Sequence, residues 1–370
     1  AGDDDDDDDD DDDFNADDDD DDDDDDDGDA DHGGEDDSED EPPTTVKVSD
    51  ELNKIVFCSR YEARHALDNL YELVQDSEYL NSFDTNGGSV KVFNFLKATM
   101  NDSTCKRLIR MECIDKVAKI ISAISWPLKH NYNDNKETVT KIILSAIFCG
   151  GVDILLNASK ECFGGDGIPQ LNILDNVWGA LSNITRVKMT TKDAVGKDQA
   201  IIVFDTSIDI LSQLDSYKGP IVSSILSNVL ITLGHLVVDN YVEKRHFRDT
   251  NMLSKYLDVF EKDRTCDDKV TKAAIYFYDC CHSKKLLDQG EDYEMLLSFL
   301  VEYLKKFPSC VSIRNAVVRL IQGACDTIDD KKIIEKSGVI EPLAALLLLH
   351  DVKEKQKKEV RKLIVNILSL

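Results

Sequence analysis

The chain has 370 residues and carries 43 Lys plus Arg against 74 Asp plus Glu, a formal net charge of −31 at pH 7. The excess sits at one end: residues 1–50 hold 31 acids and one Lys, which leaves 42 bases and 43 acids in residues 51–370. A near-neutral body of that length can bury a sizeable core, and it argues against a basic surface for direct nucleic-acid binding.

From the N-terminus, Asp3–Asp13 and Asp17–Asp27 are unbroken Asp runs with almost nothing apolar beside them. Such a segment cannot bury enough surface to offset its ordering entropy, so residues 1–45 read as a disordered tail extended by self-repulsion. Pro42-Pro43 mark the approach to a folded region over 46–370. As a low-complexity tract the tail has several readings: a solubilising segment, a lure for a basic partner, a competitor for the chain's own basic loops, or a loose collector of divalent cations. It lacks the oxygen cage and turn Gly of a calcium site.

Beyond the tail the apolar residues recur at helical spacing. A helix ends near Asn69 in EARHALDNL, Asn86-Gly87-Gly88 precede the apolar run Val90–Leu96, and a weaker helix end falls near Arg110. VTKIILSAIF, with Ala146, is stopped by Gly150-Gly151, after which Val152–Leu156 open another run. Ile173, Leu174, Val177, Trp178, Leu181 and Ile184 then form one apolar stripe. Asn176, Gly179, Ala180 and Asn183 fall on a different, small and polar side. IIVFDTSIDILSQL and NMLSKYLDVFEK follow without a Gly between helices, and Ser337-Gly338 precede Val339–Leu349, with Pro342 in a first turn where no amide donor is needed. Polar stretches at Trp126–Glu137, Cys162–Asn172 and Arg186–Asp198 read as loops. Arg186, Lys188, Lys192 and Lys197 make the third a candidate resting place for an acidic ligand. No period-two alternation bounded by hairpin turns suggests a sheet.

Comparable helix ends fall at Asn69, Arg110, Ala146, Asn183, His235, Asp279, Gln322 and Asn366, the last four spaced 44, 43 and 44 residues apart. A period of roughly 40–47 residues marks helical units that bury their apolar faces only by stacking. Gly150–Thr185 resembles the second and third helices of an armadillo repeat, and SGVIEPLAALLLL is similar to the family's pattern in which a Gly ends a short first helix. The resemblance implies an all-α, right-handed armadillo-type solenoid of about seven to eight degenerate repeats.

In armadillo proteins the third helices line a concave groove, and an Asn near the helix end hydrogen-bonds the backbone of an extended peptide. Carried to this chain, that role falls on Asn183, with Asn69 and Asn366 at similar marks and His235, Asp279 and Gln322 as departures. The candidate groove set is Asn176, Asn183, Asn228, His235, Gln322 and Asn366. Where the importin-alpha branch has a Trp, four residues before the Asn, this chain has Gly179, and Trp178 lies on the apolar stripe as a core residue. An acidic tail also has the wrong sign for that branch.

No catalytic or metal-binding pattern stands out in the sequence. Cys280-Cys281-His282 has no second ligand pair at zinc spacing, Gly164-Gly165-Asp166-Gly167 lacks the strand and the Lys-Ser/Thr of a phosphate loop, and Asp329-Asp330 sit in a polar turn. No cofactor or metal is expected. The ten Cys fall mostly inside apolar runs, as buried thiols of a reducing compartment do, and no apolar run reaches the ~18 residues of a membrane span, so a cytoplasmic or nuclear location is expected. The expected function is a non-catalytic scaffold or adaptor that holds an extended segment of a partner protein. The alternatives are an acidic-tail chaperone of histones or other basic proteins, and an armadillo-type co-chaperone or nuclear transport adaptor.

Overall fold

A computed structural model of the chain describes residues 44–125, 132–163, 170–186, 197–214, 216–238, 268–284, 291–306, 334–350 and 352–369, with a few single positions between them. The Asp tail, the Gly164–Gly167 loop, Asp329-Asp330, NMLSKYLDVFEK and most of the polar stretches lie outside the described residues. Residues 132–137, expected to be loop, instead open a helix.

Among the described residues every regular element is an α-helix: α1 Thr44–Phe57, α2 Arg60–Val74, α3 Ser77–Thr85, α4 Gly88–Asn101, α5 Arg107–Ser125, α6 Tyr132–Phe148, α7 Gly151–Phe163, α8 Leu171–Arg186, α9 Lys197–Leu214, α10 Pro220–Val238, α11 Asp268–Ser283, α12 Glu291–Lys306, α13 Ile340–Leu346 and α14 Glu354–Leu368. Local signals set several boundaries. Ser59 and Glu62 form a capping box at α2, and Asp76 accepts from the Glu78 amide at 3.0 Å to start α3. Gly87, Gly150 and Gly338, the three expected breaks, all have positive φ (67°, 80° and 75°), a conformation open to Gly and strained for other residues. At Gly150 the chain turns through 68° between α6 and α7.

These breaks generate units of a helix, a bend, a second helix and a third helix: α3–α4–α5, then α6–α7–α8. In the next unit the described residues ahead of the third helix α10 hold the helix α9. The third helices pack in order, α2 on α5, α5 on α8, α8 on α10 and α10 on α11. The described helices therefore form an armadillo-like repeat stack. Its core is one apolar cluster running from Val48 to Ile367, with Phe83, Phe93, Trp178, Phe204 and Phe277 fully buried.

Two expectations need correction. Ala146 belongs to α6, ahead of the bend, and so is not equivalent to Asn183 in the third helix α8. The second concerns α10, which is long and apolar enough to cross a membrane, although no such stretch was expected. Of its most apolar window 67% is buried within the stack, since α8 packs on one side of it and α11 on the other. Apolarity all round is what a helix sandwiched between two others requires.

Candidate functional site

The third helices share a partly exposed face, and its polar groups join each helix to the one before it. Between α2 and α5 the contacts are ionic: Arg64 pairs with Glu112 at 2.5 Å, and the Lys116 ammonium donates to the Asp68 carboxylate and, at 3.3 Å, to the Arg64 carbonyl. Between α5 and α8, Asn176 Nδ2 donates to Asp115 Oδ1 at 2.7 Å, while Lys119 holds the other carboxylate oxygen at 2.8 Å. Between α8 and α10, Asn228 Nδ2 donates to Asp175 Oδ1 at 3.0 Å. Burial pushes the Asp175 carboxyl above the usual carboxylate range, and hydrogen bonds from Ser224 and Asn228 pull against that shift. Between α10 and α11, Ser227 Oγ donates to the Lys269 carbonyl at 3.4 Å.

This pattern also sets the register. Asp68, Asp115 and Asp175 are equivalent acceptors on successive helices, each followed by a polar residue: Asn69, Lys116 and Asn176. Asn69 therefore stands level with Asn176, about two helical turns ahead of Asn183. The sequence mark that equated Asn69 with Asn183 is displaced by those two turns.

The structure brings four of the six candidates together. Asn176 and Asn183 lie on α8, and Asn228 and His235 lie on the adjoining α10. Asn183 is 7% exposed, and its side chain makes no hydrogen bond among the described residues. His235 Nδ1 lies 3.0 Å from Thr185 Oγ1, and its ring stands edge-on to Tyr276 of α11, with centroids 5.8 Å apart. Tyr276 carried no sequence mark. The signal that finds it is Gly234, where a Cβ would stand 2.5 Å from the Tyr276 ring, so the tyrosine lies directly on the α10 backbone. Gln322 and Asn366 are exposed helical residues further along the chain. Trp178 faces away from the shared face and is fully buried.

Among the described residues most cysteines are buried in the core. The described cysteines are free, and burial pushes the Cys113, Cys162 and Cys280 thiols up to about 12, far from the thiolate a nucleophile or metal ligand needs. Burial likewise raises the Cys281 thiol well above its ordinary value. Among the described residues no cluster of three or more His, Cys, Asp or Glu could hold a metal ion. Asp102 stands out in the other direction: the Thr104 hydroxyl and amide donate to it and the Arg60 guanidinium pairs with it, holding its pKa at about 2. Its stabilising contribution is complete above the unfolded value near ~4 and is lost as pH falls through about 2. Asp102→Asn is therefore expected to flatten the acid limb of the stability curve between those values and to leave the pH dependence above ~5 unchanged. Thermal melts of both proteins across that range check it.

No family model and no curated protein matches the chain. Solved structures do match. A designed armadillo repeat protein is 12% identical, with 86% of this chain and 99% of that one covered and a TM-score of 0.41. A second designed armadillo repeat protein, in complex with the peptide (KR)4, is 11% identical at the same coverage and TM-score. An engineered protein is 14% identical, with 87% and 77% covered and a TM-score of 0.49. At these identities and scores the fold is read from this chain's own helix packing.

Proposed function

We propose that this armadillo-like stack is a non-catalytic scaffold that holds an extended segment of another protein along the face shared by α2, α5, α8, α10 and α11. One observation carries the reading: side-chain amides recur on that face at Asn176, Asn183 and Asn228, and a carboxylate of the preceding helix orients two of them. An amide whose NH2 is held by a carboxylate presents its oxygen to a backbone N–H, and Asn183, without a side-chain hydrogen bond among the described residues, offers both a donor and an acceptor. Each backbone hydrogen bond to such a group contributes on the order of 1 kcal/mol net, so affinity would accumulate along the stack.

Affinity capture at low and high salt, with the full chain and with a chain starting at Pro42, tests the reading. Partners held by the shared face survive both tail removal and high salt, and each is weakened about fivefold by Asn183→Ala with the melting temperature unchanged. The 31 acids of residues 1–50 favour the second reading, an electrostatic binder of histones or other basic proteins. Partners that vanish with the tail and with rising salt would establish it in place of the first.

A further inference from the structure

Four glycines on the described helices can be compared by what a Cβ would meet. At Gly88 it would strike the Phe83 ring at 2.5 Å, at Gly151 the Ala146 carbonyl oxygen at 2.6 Å, and at Gly234 the Tyr276 ring at 2.5 Å. Packing excludes a side chain at each of these. Gly179 differs. It sits mid-helix in α8 with ordinary helical backbone, and a Cβ there would stand 3.6 Å from Ser122 Oγ and 3.7 Å from Asn228 Nδ2, ordinary contact distances. The fold would accept Ala, which favours a helix more than Gly does, so the gap is not something packing demands.

The rim of this gap is made of hydrogen-bonding groups from three helices. Ser122 Oγ of α5 is closed to solvent and has no hydrogen-bond partner among the described residues. Asn228 Nδ2 comes from α10, and Asn176 and Asn183 flank Gly179 one turn to either side on α8. The carboxylates nearby are engaged, Asp115 by Lys119 and Asn176, and Asp175 by Asn228 and Ser224. Among the described residues the rim therefore offers hydrogen-bond donors and acceptors beside two carboxylates that are already engaged.

Resting on the scaffold reading above, we propose that Gly179 is a notch where the bound segment's backbone makes its closest approach, and that the segment is uncharged there, with Gly, Ala or Ser at that position. Backbone N–H and C=O groups match the rim amides, and a side chain larger than Ser would hold the backbone out of their reach. The notch thus selects against long side chains at that position.

The experiment is selection from a display library of random peptides of about 12 residues, long enough to cross four stacked helices at ~3.3 Å per residue, on the full chain. Affinities of the enriched peptides are then measured for the wild type, Gly179→Ala, Gly179→Leu and Asn183→Ala. Expected are uncharged peptides with a small residue recurring at one position, an affinity loss of about tenfold or more with Gly179→Leu, and, with Gly179→Ala, weaker binding at an equal or higher melting temperature. If Gly179→Leu does not fold, Gly179→Ala carries the comparison. Peptides rich in Lys, Arg, Asp or Glu, or peptides lost with Asn183→Ala but indifferent to both Gly179 variants, overturn the notch and leave the scaffold reading standing. A library that yields no enriched peptide overturns both.

Discussion

Trp178→Ala is expected to lower the unfolding free energy by about 3–5 kcal/mol. The indole is fully buried in the core, on the apolar side of α8, a helix gripped by α5 and α10. Removing it leaves a void that packed helices fill only in part, so the lost transfer energy and the cavity both count. A second substitution separates packing from polarity. Trp178 Nε1 is buried without a hydrogen-bond partner among the described residues, and an orphaned donor of that kind costs about 1–3 kcal/mol. Trp178→Phe deletes the donor together with part of the apolar area, so its net effect should fall well short of the Ala variant. Urea unfolding of the three proteins measures both differences. Near-equal midpoints for wild type and Trp178→Ala would remove the indole from the core.

The second large effect is expected at the α6–α7 bend, where two adjacent glycines are needed for different reasons. Gly151→Ala places a methyl 2.6 Å from the Ala146 carbonyl oxygen and 2.9 Å from the Phe93 ring. The carbonyl is backbone and cannot swing aside, so α6 and α7 must separate, at the ~1–3 kcal/mol typical of overpacking. Gly150→Ala meets nothing within 4 Å, and its penalty is only that of a side chain at φ 80°, about 1–2 kcal/mol. Gly151→Val should therefore deepen the first loss, since its added methyls enter the same occupied space, while Gly150→Ser should resemble Gly150→Ala. Urea midpoints across the four variants test that ordering, and a Gly151→Ala protein as stable as wild type would show that the two helices tolerate separation.

Much of this architecture was legible in the sequence because its causes are local. The Gly pairs at residues 87–88 and 150–151 and the Gly at 338 announce bends through backbone freedom alone. The stripe from Ile173 to Ile184, with Trp178 in it, follows from helical periodicity, and that periodicity placed the indole in the core. Where causes are not local the sequence misleads. Ala146 and Asn69 resemble Asn183 in their neighbours, yet one belongs to a helix before a bend and the other stands two turns away once the helices are laid side by side. Helix ends recur wherever apolar helices end. Only the cross-helix contacts of Asp68, Asp115 and Asp175 show which ends are level.

The site divides in the same way. Asn176, Asn183 and Asn228 could be picked out as amides on the polar side of amphipathic helices, but nothing in their spacing says that two are held by carboxylates of the neighbouring helix while Asn183 is left without a hydrogen bond among the described residues. Tyr276 and Ser122 were invisible, being ordinary residues made relevant by a Gly on an adjacent helix.

By itself the sequence determined that the chain is a series of amphipathic helices broken at glycines, repeated at a near-constant period, behind a segment of extreme negative charge. These are properties of single segments, and backbone conformational freedom, apolar periodicity and charge density are each written within a few residues. The tertiary structure decided the register between third helices, the fate of each polar side chain on their shared face, and which glycine gaps packing fills and which stays open. Those depend on pairs of residues some fifty positions apart, whose separation is set by how whole helices pack and not by any local preference.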